Sequence, residues 1–382
     1  MKIKLTFFIC FLVSCTLQKS QTPEIIKQPS SYSAYLAQDE KKIKFRIDSS
    51  IVNRSVCLMP FVSPDSRHYL FYLSGYSNTI CVFDINSAIL KKKIQIQRMG
   101  PDGVGDIKGF EVINFDSIYI TSAFRRKLYL ADSSAKIIST IDYSKFEQEY
   151  FIHAASTKTF ENMRIGFNKS KIYLPFYPGY DIGNYKSNLP EDIRFVADID
   201  TLKRKAETLN IGFPNNYWKN NFYPTFFGFF IHSGNFYVNY AYDNLIAVSK
   251  DSKNWRFFEV KSKYADVKKV IDREKGLPAA YSRLVPDPYR NIFYRFVRHE
   301  QVNFTDRSYT DLIRYPHRFS IIILDKNLKI IGETLFPDDT YDPSGYFITE
   351  EGLYLSLSNP FNPAYNIDFL DFQLFNFYEC EK

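Results

Sequence analysis

The sequence predicts an all-β chain folded as a six-bladed β-propeller, and three observations carry that expectation. The stretch from Arg98 to Asp142 holds a turn, Gly100-Pro101-Asp102-Gly103, then four short β-prone runs: Phe110 to Ile113, Asp116 to Ser122, Lys127 to Asp132 and Lys136 to Asp142. Four antiparallel strands of that length make one propeller blade. An apolar-aromatic run preceded by a turn recurs in six copies, at Arg67–Leu73, Asp116–Ile120, Ser170–Leu174, Gly234–Val238, Arg290–Tyr294 and Glu351–Leu355. Their spacing of roughly 50 to 65 residues is the upper end of blade repeats. Helical patterning is confined to two short insertions, Val267–Lys275 and Asp106–Gly109.

The first segment is a leader. Lys2 and Lys4 precede the apolar run Leu5–Val13, too short to cross a bilayer and typical of a signal peptide. It ends in Leu12-Val13-Ser14-Cys15, similar to a bacterial lipobox, so residues 1–14 are expected to be removed and Cys15 lipidated. Acyl chains contribute about 0.8 kcal/mol per buried CH₂, so several on one cysteine anchor a protein stably. Residues 15–40 are polar, with Pro23 and Pro29, and suit a tether; residues 41–382 are expected to form the propeller. No acidic run follows Cys15, which leaves periplasm-facing and surface-facing placements in the outer membrane both open.

Within the propeller, each aromatic copy is followed by a second run: Ile80–Ile85, Lys127–Asp132, Phe195–Asp200, Asn244–Ser249, Phe319–Asp325 and Ile367–Phe372. Third runs follow after tight turns at Ile89–Ile96, Ile137–Ile141, Lys205–Leu209, Trp255–Val260 and Leu328–Leu335, and the sixth copy ends with Gln373–Tyr378. That last blade lacks an outer strand, while Lys42–Asp48 alternates in polarity and has no blade of its own. The N-terminal strand is therefore expected to join the last blade and close the ring, because an open ring leaves two unpaired strand edges.

Composition narrows the function classes. The 382 residues carry a net charge of +7, or +5 once Lys2 and Lys4 are removed, with no basic run dense enough for nucleic acid. Aromatic residues make up 18%, which fits either a β-rich fold or a sugar- and partner-binding surface. With Cys10 in the leader and Cys15 lipidated, Cys57, Cys81 and Cys380 remain; at most one disulfide is possible, and small buried thiols are the expectation. The five histidines show no ligand spacing, so neither a metal nor a cofactor is expected.

Turn lengths point to one face. Connections between the first and second strands, and between the third and fourth, are short. Those between the second and third strands and between blades include Tyr143–Met163, Phe176–Asp192, Gly212–Thr225, Lys261–Tyr281 and Arg298–Arg318. Long loops on a rigid ring are where binding residues concentrate. The candidate set on that face is Arg125, Arg126, Tyr177, Tyr180, Tyr217, Trp218, Arg298, His299, Arg314, Tyr315, His317 and Tyr365. Tyr and Trp stack on sugar faces, and Arg pairs with carboxylates, but the same residues dominate protein interfaces. A glycan, a peptide or an envelope protein is the expected partner of a monomer. The alternative is a carbohydrate-active hydrolase or lyase with a channel carboxylate such as Glu111.

Gly100-Pro101-Asp102-Gly103 before a strand, Asp-Ser-Ile-Tyr-Ile at 116–120 and Leu-Tyr-Leu-Ala-Asp at 128–132 resemble six-bladed propellers of the NHL/TolB-like class. With the lipobox, the chain resembles propeller lipoproteins of unknown function from Bacteroidetes. The resemblance spans about residues 40 to 380 in architecture and is motif-level only in the second blade. The usual Gly-Pro-Gly-Glu is Gly-Pro-Asp-Gly here, so no role of that Glu carries over. What the resemblance implies is binding or scaffolding more than catalysis.

Overall fold

The computed structural model describes residues 25–27, 30–54, 57–122, 125–148, 153–154, 162–177, 193–214, 217, 226–269, 271, 276–303 and 306–380. They form an all-β, propeller-like arrangement of antiparallel sheets. The first sheet runs Leu58–Val62, His68–Ser74, Thr79–Asp84 and Ile89–Gln95, each strand paired with the next. The second follows the same plan with Ile107–Asn114, Ser117–Ser122, Lys127–Ala131 and Ile137–Asp142. The third is built on Gly166–Asn168, Lys171–Tyr177, Val196–Asp200 and Lys205–Thr208, and the fourth on Phe227–His232, Asn235–Tyr240, Leu245–Ser249 and Arg256–Glu259. Ile25–Lys27 adds a parallel strand to the outer edge of the fourth.

Eight further strands make one sheet. Ala280–Asp287, Ile292–Arg298, Phe319–Asp325 and Ile330–Leu335 form one half; Asp342–Ile348, Leu353–Ser356, Phe369–Glu379 and Ala34–Arg46 form the other. The halves are joined where Ala34 pairs with Gly332, with the Ser31 and Ser33 N–H groups donating to the carbonyls of Ile330 and Ile331 beside it.

The turns explain the repeat. The third strand of most sheets ends near an aspartate whose carboxylate accepts backbone N–H groups of the following turn. Asp84 accepts from Ser87 at 2.8 Å, Asp132 from Ser134 at 2.8 Å and Asp325 from Asn327 at 2.8 Å. Such Asx turns hold the chain while it reverses. The turn residues Ala88, Ala135 and Leu328 then sit at φ of 55°, 70° and 63°, in the left-handed region that side chains seldom occupy. Asp198-Ile199-Asp200 obeys this pattern: Asp200 accepts from Leu202 and Lys203, and Asp198 pairs with Lys171.

Neighbouring sheets share cores. Phe71, Ile80 and Val82 of the first pack with Phe110, Ile118 and Ile120 of the second, and the pattern repeats along the chain. The C-terminal half-sheet shares a core with the first sheet through Phe45, Phe83, Tyr354 and Phe372. Between the fourth sheet and the next, fully buried Arg295 donates to the carbonyls of Asn244, Val260 and Asp243 at 2.7–2.9 Å and lies 3.5 Å from the Tyr281 ring centroid.

Some expectations are corrected. The N-terminal strand spans Ala34–Arg46, starting well before Lys42, because Ala34 and Leu36 bury against the C-terminal half-sheet. Ile367–Phe372 and Gln373–Tyr378 are one strand, Phe369–Glu379, since no turn former separates them. Asp106–Gly109 is not helical: the strand starts at Ile107, and Gly109 pairs with Thr121. Among the described residues the helices are a 3₁₀ turn at Tyr143–Lys145 and the segment Tyr309–Arg314, capped by Ser308.

Candidate functional site

The first strand of each sheet faces a common centre, and there the chain encloses a cavity of about 450 Å³. Leu58 to Val62, Phe110 and Glu111, Arg164 and Ile165, Phe230 to His232, Val285 and Pro286, and Tyr346 to Ile348 line it. Alternation brings this about: in a strand every second side chain points one way, so each inner strand sends a few residues to the centre. The lining side chains are mostly aromatic and aliphatic, but polar groups supply close to half of the surface that borders the cavity. One end is open, because Val62 and Tyr289 stand at strand ends and keep 44% and 47% exposure.

The opposite end is polar. Arg164 donates through Nε to Glu111 Oε2 at 2.7 Å and through Nη2 to Oε1. This is a bidentate pair, the strongest common geometry between these groups. Burial pulls the Arg164 pKa down, but the Glu111 carboxylate outweighs it and holds the guanidinium charged. The Arg164 side chain retains 31% exposure at the middle of the fold because it borders the cavity. Asn162 seals the floor by donating to the Leu284 carbonyl at 2.6 Å. Tyr346 stands beside it, its phenol pushed up to about 12 by burial against the pull of Arg283 and Arg164. Fully buried Arg283 lies beyond, 5.3 Å from the Tyr346 ring centroid. Cys57 borders the floor with its thiol pushed up to about 12 by burial, which makes it a poor nucleophile. His232 at the rim is held below its usual pKa by burial, so it is neutral at pH 7.

The long-loop candidates divide. Arg125 is exposed beside Gly105, and Arg126 is half-buried. Tyr177 ends its strand opposite His153. Tyr180, Trp218 and the lipidation candidate Cys15 lie outside the described residues. Four others face inward, contrary to the expectation of a solvent-facing set. Tyr217 packs on Phe213 at 4.8 Å, and its hydroxyl accepts from the Tyr242 N–H at 3.1 Å. Arg298 donates to the Pro278 carbonyl at 3.0 Å. His299 Nε2 lies 3.0 Å from Ser320 Oγ, which donates to buried Glu333 at 2.7 Å. Tyr315 is buried under Arg54, whose guanidinium is 5.7 Å from its ring centroid. Tyr217 and Arg298 are drawn in by loop backbone groups that need partners, while His299 joins a buried side-chain network.

The structure does bring Arg314, Tyr315 and Tyr365 together. Arg314 lies 5.7 Å from the Tyr315 ring, and the Tyr365 phenol, raised by burial, is held down by Arg54. His317 joins a separate network: Nδ1 is 2.7 Å from Asp339 and Nε2 3.1 Å from Asp338, while Arg307 and Arg318 each pair bidentately with one of those acids. The basic look of this face is thus largely compensated. Arg164 and Arg283 went unread as site residues. Their signal was an arginine set in an apolar inner run, as in Met163-Arg164-Ile165 and Ser282-Arg283-Leu284-Val285.

The family model described as "Domain of unknown function (DUF4221)" matches residues 34–335. A solved member of the DUF4221 family from Bacteroides vulgatus shares 21% identity and superposes with a TM-score of 0.77, over 91% of this chain and 99% of that one. A Bacteroides fragilis chain named "Putative exported protein" shares 10% identity with a TM-score of 0.54, over 94% of this chain and all of that one. No curated protein matches. At these identities the likeness is one of fold.

Proposed function

This chain belongs to the DUF4221 family, and we propose that it is an exported, lipid-anchored, six-bladed propeller that binds a ligand in its axial cavity. The observation that carries the reading is the cavity itself: about 450 Å³, lined by both apolar and polar surface, open at one end and holding the Arg164–Glu111 ion pair at its floor. Small-molecule sites have this size. Six blades are supported by dividing the eight-stranded sheet at its Ala34–Gly332 pairing, which leaves two sets of four strands beside the other four sheets. Export is supported by the leader and by the name of the B. fragilis relative. The partner is a glycan, a peptide or an envelope protein.

A hydrolase or lyase reading has less support. Glycosidic cleavage uses two carboxylates roughly 5 to 9.5 Å apart. Among the described residues lining the cavity, Glu111 is the one carboxylate, and Arg164 engages both its oxygens.

The test is a thermal-shift screen of residues 16–382 against glycan fragments and short peptides, on the wild type and on Val62→Trp. Val62 is at the mouth and partly exposed, so a tryptophan there blocks the cavity without disturbing the core. A ligand at 100 times its Kd stabilises the native state by about 2.7 kcal/mol. The expected result is a raised midpoint in the wild type and none in Val62→Trp. Hits that stabilise both proteins equally would place binding elsewhere and end the cavity reading.

A further inference from the structure

The axial cavity carries a charge asymmetry that names its ligand class. Resting on the cavity reading above, we infer that it takes a small organic carboxylate whose apolar body lies along the walls and whose carboxylate meets Arg164.

Arg164 commits Nε and Nη2 to Glu111, Nη2 also donates to Met59 Sδ at 3.3 Å, and Nη1 has no hydrogen-bond partner among the described residues. The side chain is 31% exposed although it sits at the centre of the ring, so the guanidinium is reachable from the cavity. A guanidinium presents donors in a planar fork, so Nη1 can donate to a second carboxylate. The surrounding charge does not forbid that anion. Arg164, Arg283 and Arg314 stand around the floor and behind it, against Glu111 and Asp342. The sum is one positive charge in a region shielded from water, where opposite charges attract more strongly than at the surface.

The rest of the cavity fits an apolar body. Phe61, Phe230, Phe347, Val285 and Pro286 line it, with Tyr289 at the mouth. At about 450 Å³ it holds on the order of 15 waters, which a ligand the size of an aromatic acid would partly displace.

The experiment is calorimetric titration with 3-phenylpropanoate and hexanoate, each beside its primary amide. The amides keep size and shape and remove the charge. Wild type is expected to bind the acids at least tenfold more tightly than the amides. Glu111→Gln, which removes the competing carboxylate, is expected to tighten the acids several-fold. Arg164→Met strands Glu111 and risks the fold, so the double variant R164M/E111Q is used as well; it is expected to keep the native circular dichroism and lose the acid preference. Acid and amide binding with equal affinity, both blocked by Val62→Trp, would overturn the carboxylate assignment and leave the cavity reading standing. No binding by any of the four probes overturns the assignment too. The cavity reading falls separately, if ligands from the wider screen stay bound to Val62→Trp.

Discussion

His299 shows how a polar residue in a loop is absorbed by the fold. It keeps 7% exposure, and its ring donates to Ser320, because the Ser320 hydroxyl proton is directed at Glu333. Burial, with help from Arg318, lowers its pKa to about 4, against roughly 6.5 in an unfolded chain. Between those values the unfolded chain holds a proton that the folded chain lacks. Stability from this residue is therefore complete above about pH 6.5 and is lost as pH falls toward 4. The loss is on the order of 3 kcal/mol. Urea midpoints for wild type and His299→Gln, measured from pH 7.5 to 4, test this: the wild type should fall more steeply, and parallel curves would refute it. Arg164 and Arg295 are the same kind of residue put to different uses. Arg295 has carbonyls around it and joins two sheets, while Arg164 has one carboxylate and a cavity.

At the scale of elements, the N-terminal strand is the piece that the rest depends on. Ala34–Arg46 runs along Phe369–Glu379 for most of its length and covers what would otherwise be an open edge. Its first residue also touches the neighbouring half-sheet, where a Cβ on Gly332 would lie 2.0 Å from the Ala34 carbonyl oxygen. Only glycine lets the two backbones approach so closely. Gly332→Val should push the strand away and lower stability by about 2–4 kcal/mol, seen as a lower urea midpoint; an unchanged midpoint would mean that the contact is dispensable. The strand was legible in its Lys-Ile-Lys-Phe-Arg-Ile alternation, and its outer place on the last sheet followed from the missing fourth run. Its true start at Ala34 was not legible, since Tyr35 to Glu40 has a weak apolar pattern and becomes a strand by pairing.

Across the whole molecule, stability is shared between neighbours. Each sheet buries its faces against the sheets on either side, and the last shares Phe45, Phe83 and Phe372 with the first. No sheet has a complete core of its own, so the ring should open as a unit. Far-UV circular dichroism and near-UV tyrosine signals are expected to report one coincident urea transition. Two separated midpoints would show that some sheets fold independently. The cavity is a property of this scale as well, because no single sheet contains it.

Most of the strands, their turns and their order are legible in the sequence. Those depend on near neighbours: alternation along a few residues, an aspartate two or three positions before the N–H it accepts, a glycine where chains touch. Glu111 was noticed for the same reason, as an acid inside an apolar run. Which side chains meet depends on the tertiary structure. Arg164 is paired with a residue more than fifty positions away, Tyr217 and Arg298 turn inward to partner loop backbone, and His299 and Tyr315 turn inward to Ser320 and Arg54. Local composition cannot separate an arginine that faces solvent from one that faces a cavity. That difference is set by which strands come to share an axis.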